Sequence, residues 1–435
     1  MEQLESEGIQ GEAGHSSENE NQHEGLVNEI IAMFETLEPS LSSECCIYRV
    51  PYHIRRVNEE AYTPQVISIG PFHYNSTRLQ PKKNHKVRYF KSLMHRAKPE
   101  IHLKTLVSSI KLMEGSIRRC YSETIQLSSN DFVKMILVDA GFILELFFRE
   151  FERKCGESDD PLLVEGWMLS TVWRDLVLFE NQLPFFVIEK LFQVAFPFKP
   201  GSYLIELAFH FFRELNFQNK SPLSNVKIKH FIDLFRTFML PPSDRLPEAG
   251  NYKVKLLYSA TQLNEAGVKL KVSPSKCLLD LKFTNGVLEI PQFPIYDTTE
   301  ALIRNVIAFE LYHYGESIAY ITHYYYMFHS LINTTKDMDL LCDKEIVVNY
   351  QGDNNAMTSI VNNLHTNIIW VGLNSDYCHL CENLNVFYKD HWHRWKAMLM
   401  RDYFSTPWRI ASTIAAAILL VLTLIQTVSS IIQVA

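Results

Sequence analysis

Apolar residues recur at three- and four-residue steps along much of the chain, a spacing that predicts helices with one buried side. Leu26, Ile30, Phe34 and Leu37 share a face before Pro39 stops the run, and Phe132 to Phe151 repeats the pattern. A long helix is predicted from Gly166 to Asn181, broken at Leu183-Pro184, with Pro184 opening the next helix, Phe185 to Phe196. Farther on the period changes. Thr261 to Ala266 reads as a short helix closed by Gly267, Val268 to Val272 alternates, and CLLDLKF-TNG-VLEI reads as a hairpin turning at Asn285-Gly286. Pro291 and Pro294 are expected to end the sheet, and Asp297-Thr-Thr-Glu300 has capping-box spacing for a helix toward Tyr312.

Ile410 to Ala435 carries no charged side chain. It is long enough to cross a hydrocarbon core of roughly 30 Å, and a soluble helix of that length ordinarily keeps a charged face. The expected class is mainly α with one small antiparallel sheet or hairpin, in two packed lobes plus a single C-terminal transmembrane helix. The expected segments are an acidic disordered tail at 1–24, a helical lobe at 25–240, a Pro-rich connector at 241–251, an α+β lobe at 252–400, a basic juxtamembrane segment at 401–409 and the transmembrane helix at 410–435.

Charge sharpens this division. The first 48 residues hold eleven Glu and no Asp, Lys or Arg, too little apolar surface to fold alone. Removing them leaves 42 basic residues against 38 acidic, a mildly basic body. Arg394, Lys396, Arg401 and Arg409 precede the apolar segment, so the positive-inside rule puts the body in the cytosol, anchored by its tail to a plasma or internal membrane. Eight scattered Cys suit free thiols better than a disulfide framework. Sequons at Asn75, Asn219 and Asn333 would then stay unmodified and serve as topology reporters.

Six segments carry a resemblance. ISIGPFHYN (Ile67 to Asn75), FILEL (Phe142 to Leu146), LFENQLPFFV (Leu178 to Val187), EAGVKLK (Glu265 to Lys271), LEIPQFPIYDTTEALIRNVIAFE (Leu288 to Glu310) and YFSTPW (Tyr403 to Trp408) follow, in order, the pattern of the plant family called domain of unknown function 247. The resemblance implies a plant origin, an α-rich body and a C-terminal membrane helix; some grass relatives are associated with pollen self-incompatibility, and no general activity comes with the name. It singles out Gly70, Pro71, Phe72, His73, Glu180, Asn181, Gln182, Pro184, Asp297, Glu300, Arg304, Asn305 and Glu310 as structural or ligand candidates. The chain departs from the pattern at Tyr74-Asn75, where His-Gly is frequent, and at Leu311-Tyr312, where Gln usually follows Glu310.

Candidate chemistry is sparse. Cys378, Cys381, His391 and His393 could in principle hold zinc, but the Cys–His gap is shorter than in the usual finger and the two His would diverge on a helix. No phosphate loop, nucleophile elbow or metalloprotease motif occurs, so no catalytic residue and no cofactor is assigned. Lys82, Lys83, Lys86 and Arg88 beside Tyr89 and Phe90 could meet lipid headgroups; a near-neutral body argues against nucleic acid. Glu180-Asn181-Gln182, inside an apolar run, must be bonded if buried, and are expected to cap the helix ends left open at Pro184. Thr423, Gln426, Thr427, Ser430 and Gln433 form a polar stripe through which the anchor could pair with itself or another membrane helix. These features point to a membrane-anchored protein, partnered by the bilayer and by other proteins in recognition or signalling. The competing expectation is a membrane-associated transferase or hydrolase, which needs a deep polar pocket near Asp297, Glu300, Arg304 and Glu310.

Overall fold

The computed structural model describes residues 23, 25–32, 42–97, 103–152, 166–222, 227–364, 366, 372–390, 395 and 407–434. Contacts divide the chain into residues 1–45 and 46–435, each treated by itself. In the first unit residues 25–32 are helical, with Leu26 and Ile30 exposed. Phe34, Leu37 and most of the acidic tail lie outside the described residues.

The second unit is built around one helix. Helices α1 (Lys83–Arg96) and α2 (Leu103–Arg119) pack on α3 (Ser129–Glu152), which is apolar nearly all round because neighbours surround it. Helix α4 (Gly166–Leu176) is shorter than the spacing predicts, ending five residues before Asn181. After an irregular stretch, α5 (Phe185–Ala195) begins with Pro184 at its cap, and α6 (Ser202–Phe211) follows; both pack on α3. Phe147, Phe211, Phe212 and Phe231 interlock at centroid distances of 4.8–5.8 Å, giving this end of the core its rigidity.

Helix α7 (Phe231–Met239) precedes the Pro-rich segment, yet it packs on α9 (Thr299–Phe309) beyond it. Buried residues from both sides, such as Phe235 and Met239 with Ile303 and Phe309, join one apolar cluster. The segment therefore crosses one continuous core. Helix α8 (Ala260–Glu265) closes at Gly267 as expected, with a Ser259/Gln262 capping box.

The hairpin is present: β2 (Lys282–Thr284) pairs antiparallel with β3 (Val287–Pro291) across Asn285 and Gly286, both at positive φ. Two features differ from expectation. β1 (Lys269–Ser273) joins β3 in parallel, so the sheet is mixed. Pro294 does not end pairing but lies within β4 (Phe293–Ile295), which pairs with β5 (Val347–Asn349) in a separate two-stranded sheet, where a missing N–H is tolerated at an edge. The capping box at Asp297 also fails. Thr299 Oγ1 accepts the Tyr296 N–H at 2.9 Å, α9 starts at Thr299, and Glu300 turns to Arg304 and Asn58. A π turn (Glu310–Tyr314) extends α9, and α10 (Tyr320–Leu331), α11 (Thr335–Asp343), α12 (Asn354–Asn363) and α13 (Ser375–Lys389) complete the body.

Helix α14 (Pro407–Val434) starts three residues earlier than predicted, with Pro407 in the first turn where a missing N–H costs least. Pro407–Ile432 is long and apolar enough to cross a membrane by length and composition, and its most apolar stretch is not buried.

Candidate functional site: a bonded junction and a cavity

The irregular stretch after α4 explains why that helix stops. Gln182 Nε2 donates to the carbonyls of Leu176 (2.7 Å) and Leu178 (2.9 Å), and Asn181 Nδ2 to those of Asp175 (2.8 Å) and Ile67 (3.0 Å). Their oxygens accept in turn: Asn181 Oδ1 from the Ile69 N–H, and Gln182 Oε1 from the Phe231 N–H. The expected capping thus holds for the end of α4, but the start it satisfies is that of α7. The Phe185 N–H instead donates to the Lys229 carbonyl.

Glu180 does not cap a helix. Its buried carboxylate accepts the Val50 N–H at 2.8 Å and faces Arg49, Arg55 and His73. Burial pushes its pKa up, but the His73 bond and the Arg55 charge outweigh that and hold it below the ordinary carboxylate value. Phe72 stands beneath the Arg49 guanidinium and edge-on to Tyr121. Asp175, which the sequence did not single out, accepts three N–H groups, from Gln65, Val66 and Ile67, at 2.7–2.8 Å; burial outweighs them and pushes it up to about 6.

Gly70, between Ile69 and Pro71, is required by backbone. Its φ is +71°, its N–H donates to Asp139, and a Cβ there would lie 2.6 Å from the Gln182 carbonyl oxygen. Asp139 also takes Lys86, whose buried Nζ donates to the Ser68 carbonyl as well. Lys86 is therefore an internal ion pair and not a headgroup contact. Lys83 lies over the Tyr74 ring and donates to its hydroxyl, Lys82 is half-buried and Arg88 is exposed, so the basic cluster does not form one surface.

The acidic and basic candidates of α9 are also spent on the fold. Asn305 accepts the Phe179 N–H and donates to the carbonyls of Ala61 and Ala301. Arg304 donates to Glu300 and the Asn363 carbonyl, and Glu310 accepts from Arg236 and Thr322. Asp297 is exposed. None of these side chains lines the cavity on the other side of α9. In α13, Cys378 lies near Glu382 and Cys381 near Met327; His391 and His393 lie outside the described residues, and among those described no cluster could hold a metal. The seven described cysteines are free.

The opposite side of α9 faces a cavity of about 470 Å³. Leu302, Ile303, Phe211, Met239, Phe293 and Tyr325 form its buried interior. Trp173 and Leu169 supply half-buried wall, and Ser170, Arg213, Glu214 and Tyr296 are exposed, which places them at the opening. Glu150, with its side chain mostly buried, lies 3.6 Å from Arg213. Burial first, then Tyr350 and Glu214, raise the Tyr296 hydroxyl pKa, and Glu214 and Tyr296 both line the cavity. Sequence reasoning missed these residues. The only available signal was the density of rings at Phe209, Phe211, Phe212 and Phe217, which also reads as core.

The described residues thus form a mainly helical body with a bonded polar junction, a cavity of about 470 Å³ and a C-terminal helix long and apolar enough to cross a membrane. The chain belongs to DUF247, described as plant protein of unknown function, which it matches over residues 47–422. A UPF0481 protein of Arabidopsis thaliana is 30% identical over 91% of this chain and 88% of its own length. A putative UPF0481 protein of the same plant is 26% identical over 33% of this chain and 26% of its own. No solved structure matches the chain.

Proposed function

We propose that the protein is a membrane-anchored recognition module that binds without transforming what it binds. The observation that carries this reading is the full commitment of Glu180, Asn181, Gln182, Asn305 and Glu310 to backbone groups and buried ion pairs. Side chains so engaged are not available to move protons on a substrate. Helix α14 serves in this reading as a single-pass anchor, and Arg394, Lys396 and Arg401 before it, with Arg409 in its first turn, favour a cytosolic body, where a protein partner in recognition or signalling would meet it.

Two measurements test the reading. The full chain in plant cells should stay with membranes through alkaline carbonate washing, and removing residues 407–435 should release it. All three sequon asparagines are exposed, so a lumenal body would be glycosylated. Endoglycosidase should leave mobility unchanged; a shift abolished by Asn75→Gln, Asn219→Gln or Asn333→Gln would sink the cytosolic orientation. Proximity labelling in native tissue then identifies the partners.

A further inference from the structure

We propose that the cavity beside α9 binds a small amine, with an apolar ring-containing body in the interior and its cationic nitrogen at the opening. The proposal rests on the recognition reading for its purpose, but its chemistry is drawn from the cavity itself. About 470 Å³ falls within the range of small-molecule sites, and the interior offers Phe, Leu, Ile, Met and Tyr surface suited to a ring system.

Charge at the opening selects the other end. Two carboxylates, Glu150 and Glu214, and one guanidinium, Arg213, line the cavity. Arg213 is already engaged with the Glu150 carboxylate and the His210 carbonyl. No cation pairs with Glu214 among the described residues, which leaves its carboxylate as the excess charge at the opening that Tyr296 also lines. The Tyr296 ring stacks on Tyr350 at 4.8 Å and 9°, and Trp173 stands in the wall, so electron-rich faces border the same opening. A cation there gains from a carboxylate and from π faces together, whereas an anion would meet the carboxylates first.

The test uses the full chain in zwitterionic nanodiscs and isothermal titration with three probes sharing one ring system: naphthylethylamine, naphthylethanol and naphthylacetate, each corrected against empty nanodiscs. The amine should bind saturably at one site, about tenfold tighter than the alcohol, as one charge-assisted bond implies, with the acetate weakest. Glu214→Gln should bring amine and alcohol together. Ser170→Trp changes an exposed helix position and should fill the opening, abolishing binding of all three with unfolding temperature unchanged; Thr298→Trp serves if that variant fails to fold. Absence of saturable amine binding, acetate as tight as amine, or full binding in the filled variants would overturn the proposal. None of these results touches the carbonate and endoglycosidase tests, so the site and the anchored reading can fail separately.

Discussion

The two sides of α9 put opposite physical strategies a few residues apart. On one side Glu300 and Asn305 bond to segments around Asn58, Ala61 and Phe179, and Arg304 bonds to Glu300 and the Asn363 carbonyl. On the other, Thr299, Leu302 and Ile303 face a cavity bordered by aromatic rings. Buried polar groups with fixed partners tolerate little change, because removing one partner leaves the other desolvated and unbonded. Apolar walls tolerate much more. Residues that look functional because they are polar and buried here hold the backbone, and the surface free to evolve a ligand preference is the inconspicuous apolar one.

The largest test of that contrast is Glu180→Ala, which leaves Arg55 and His73 facing an empty buried position; chemical unfolding should show a loss of about 3–5 kcal/mol. Thr298→Ala on the cavity side should stay within about 0.5 kcal/mol. Comparable losses would erase the distinction. Acid should expose a second difference. Burial holds His230 and His323 down to about 4, from an unfolded value near 6.5, so both remain neutral while the unfolded chain takes up protons. Their contribution is complete above pH 6.5 and is lost as pH falls toward 4, on the order of 2–3 kcal/mol each. Asp175, raised to about 6, acts in the opposite sense, its contribution being lost as pH rises from about 4 through 6. Unfolding measured at pH 7 and pH 4.5 should show the decline, and His323→Asn should flatten it; an unchanged slope would mean this histidine is not the sensor.

Asn305→Ala orphans the Phe179 N–H and two carbonyls, with an expected loss of about 1–3 kcal/mol, while Ser170→Ala across the helix should be near neutral. The smallest effect concerns α14. Thr423 and Thr427 donate their hydroxyls to the carbonyls of Leu419 and Thr423, which weakens their claim as pairing groups and leaves Gln426 and Ser430 as the stronger candidates. Gln426→Leu should weaken association of the full chain by about 0.6 kcal/mol in a membrane energy-transfer assay, and Leu422→Ala should not. Equal signals would make α14 an anchor alone.

Local chemistry was legible where it depends on neighbours in sequence. The Asn285-Gly286 hairpin, the stop at Gly267, the apolar run of α3 and the apolar C-terminal helix all follow from spacing. The junction was half legible: consecutive Glu180, Asn181 and Gln182 in an apolar run had to be bonded, but sequence could not name Val50, Ile69 or Phe231 as partners more than forty residues away. Lys86 was misread because a basic cluster looks the same whether one member turns inward or not. Asp175 and the cavity were invisible, since the first needs a distant loop to bring three N–H groups and the second is a volume enclosed by residues that would each pass for core.

The cavity is bounded by Glu150 at one extreme and Tyr325 at the other. A ribosome adding about 5–20 residues each second needs roughly 9–35 s to travel between those two codons. Throughout that interval the cavity's wall is incomplete, and the aromatic residues already made lack the partners that will enclose them. Competence to hold a ligand arrives late, shortly before the apolar C-terminal helix itself is made.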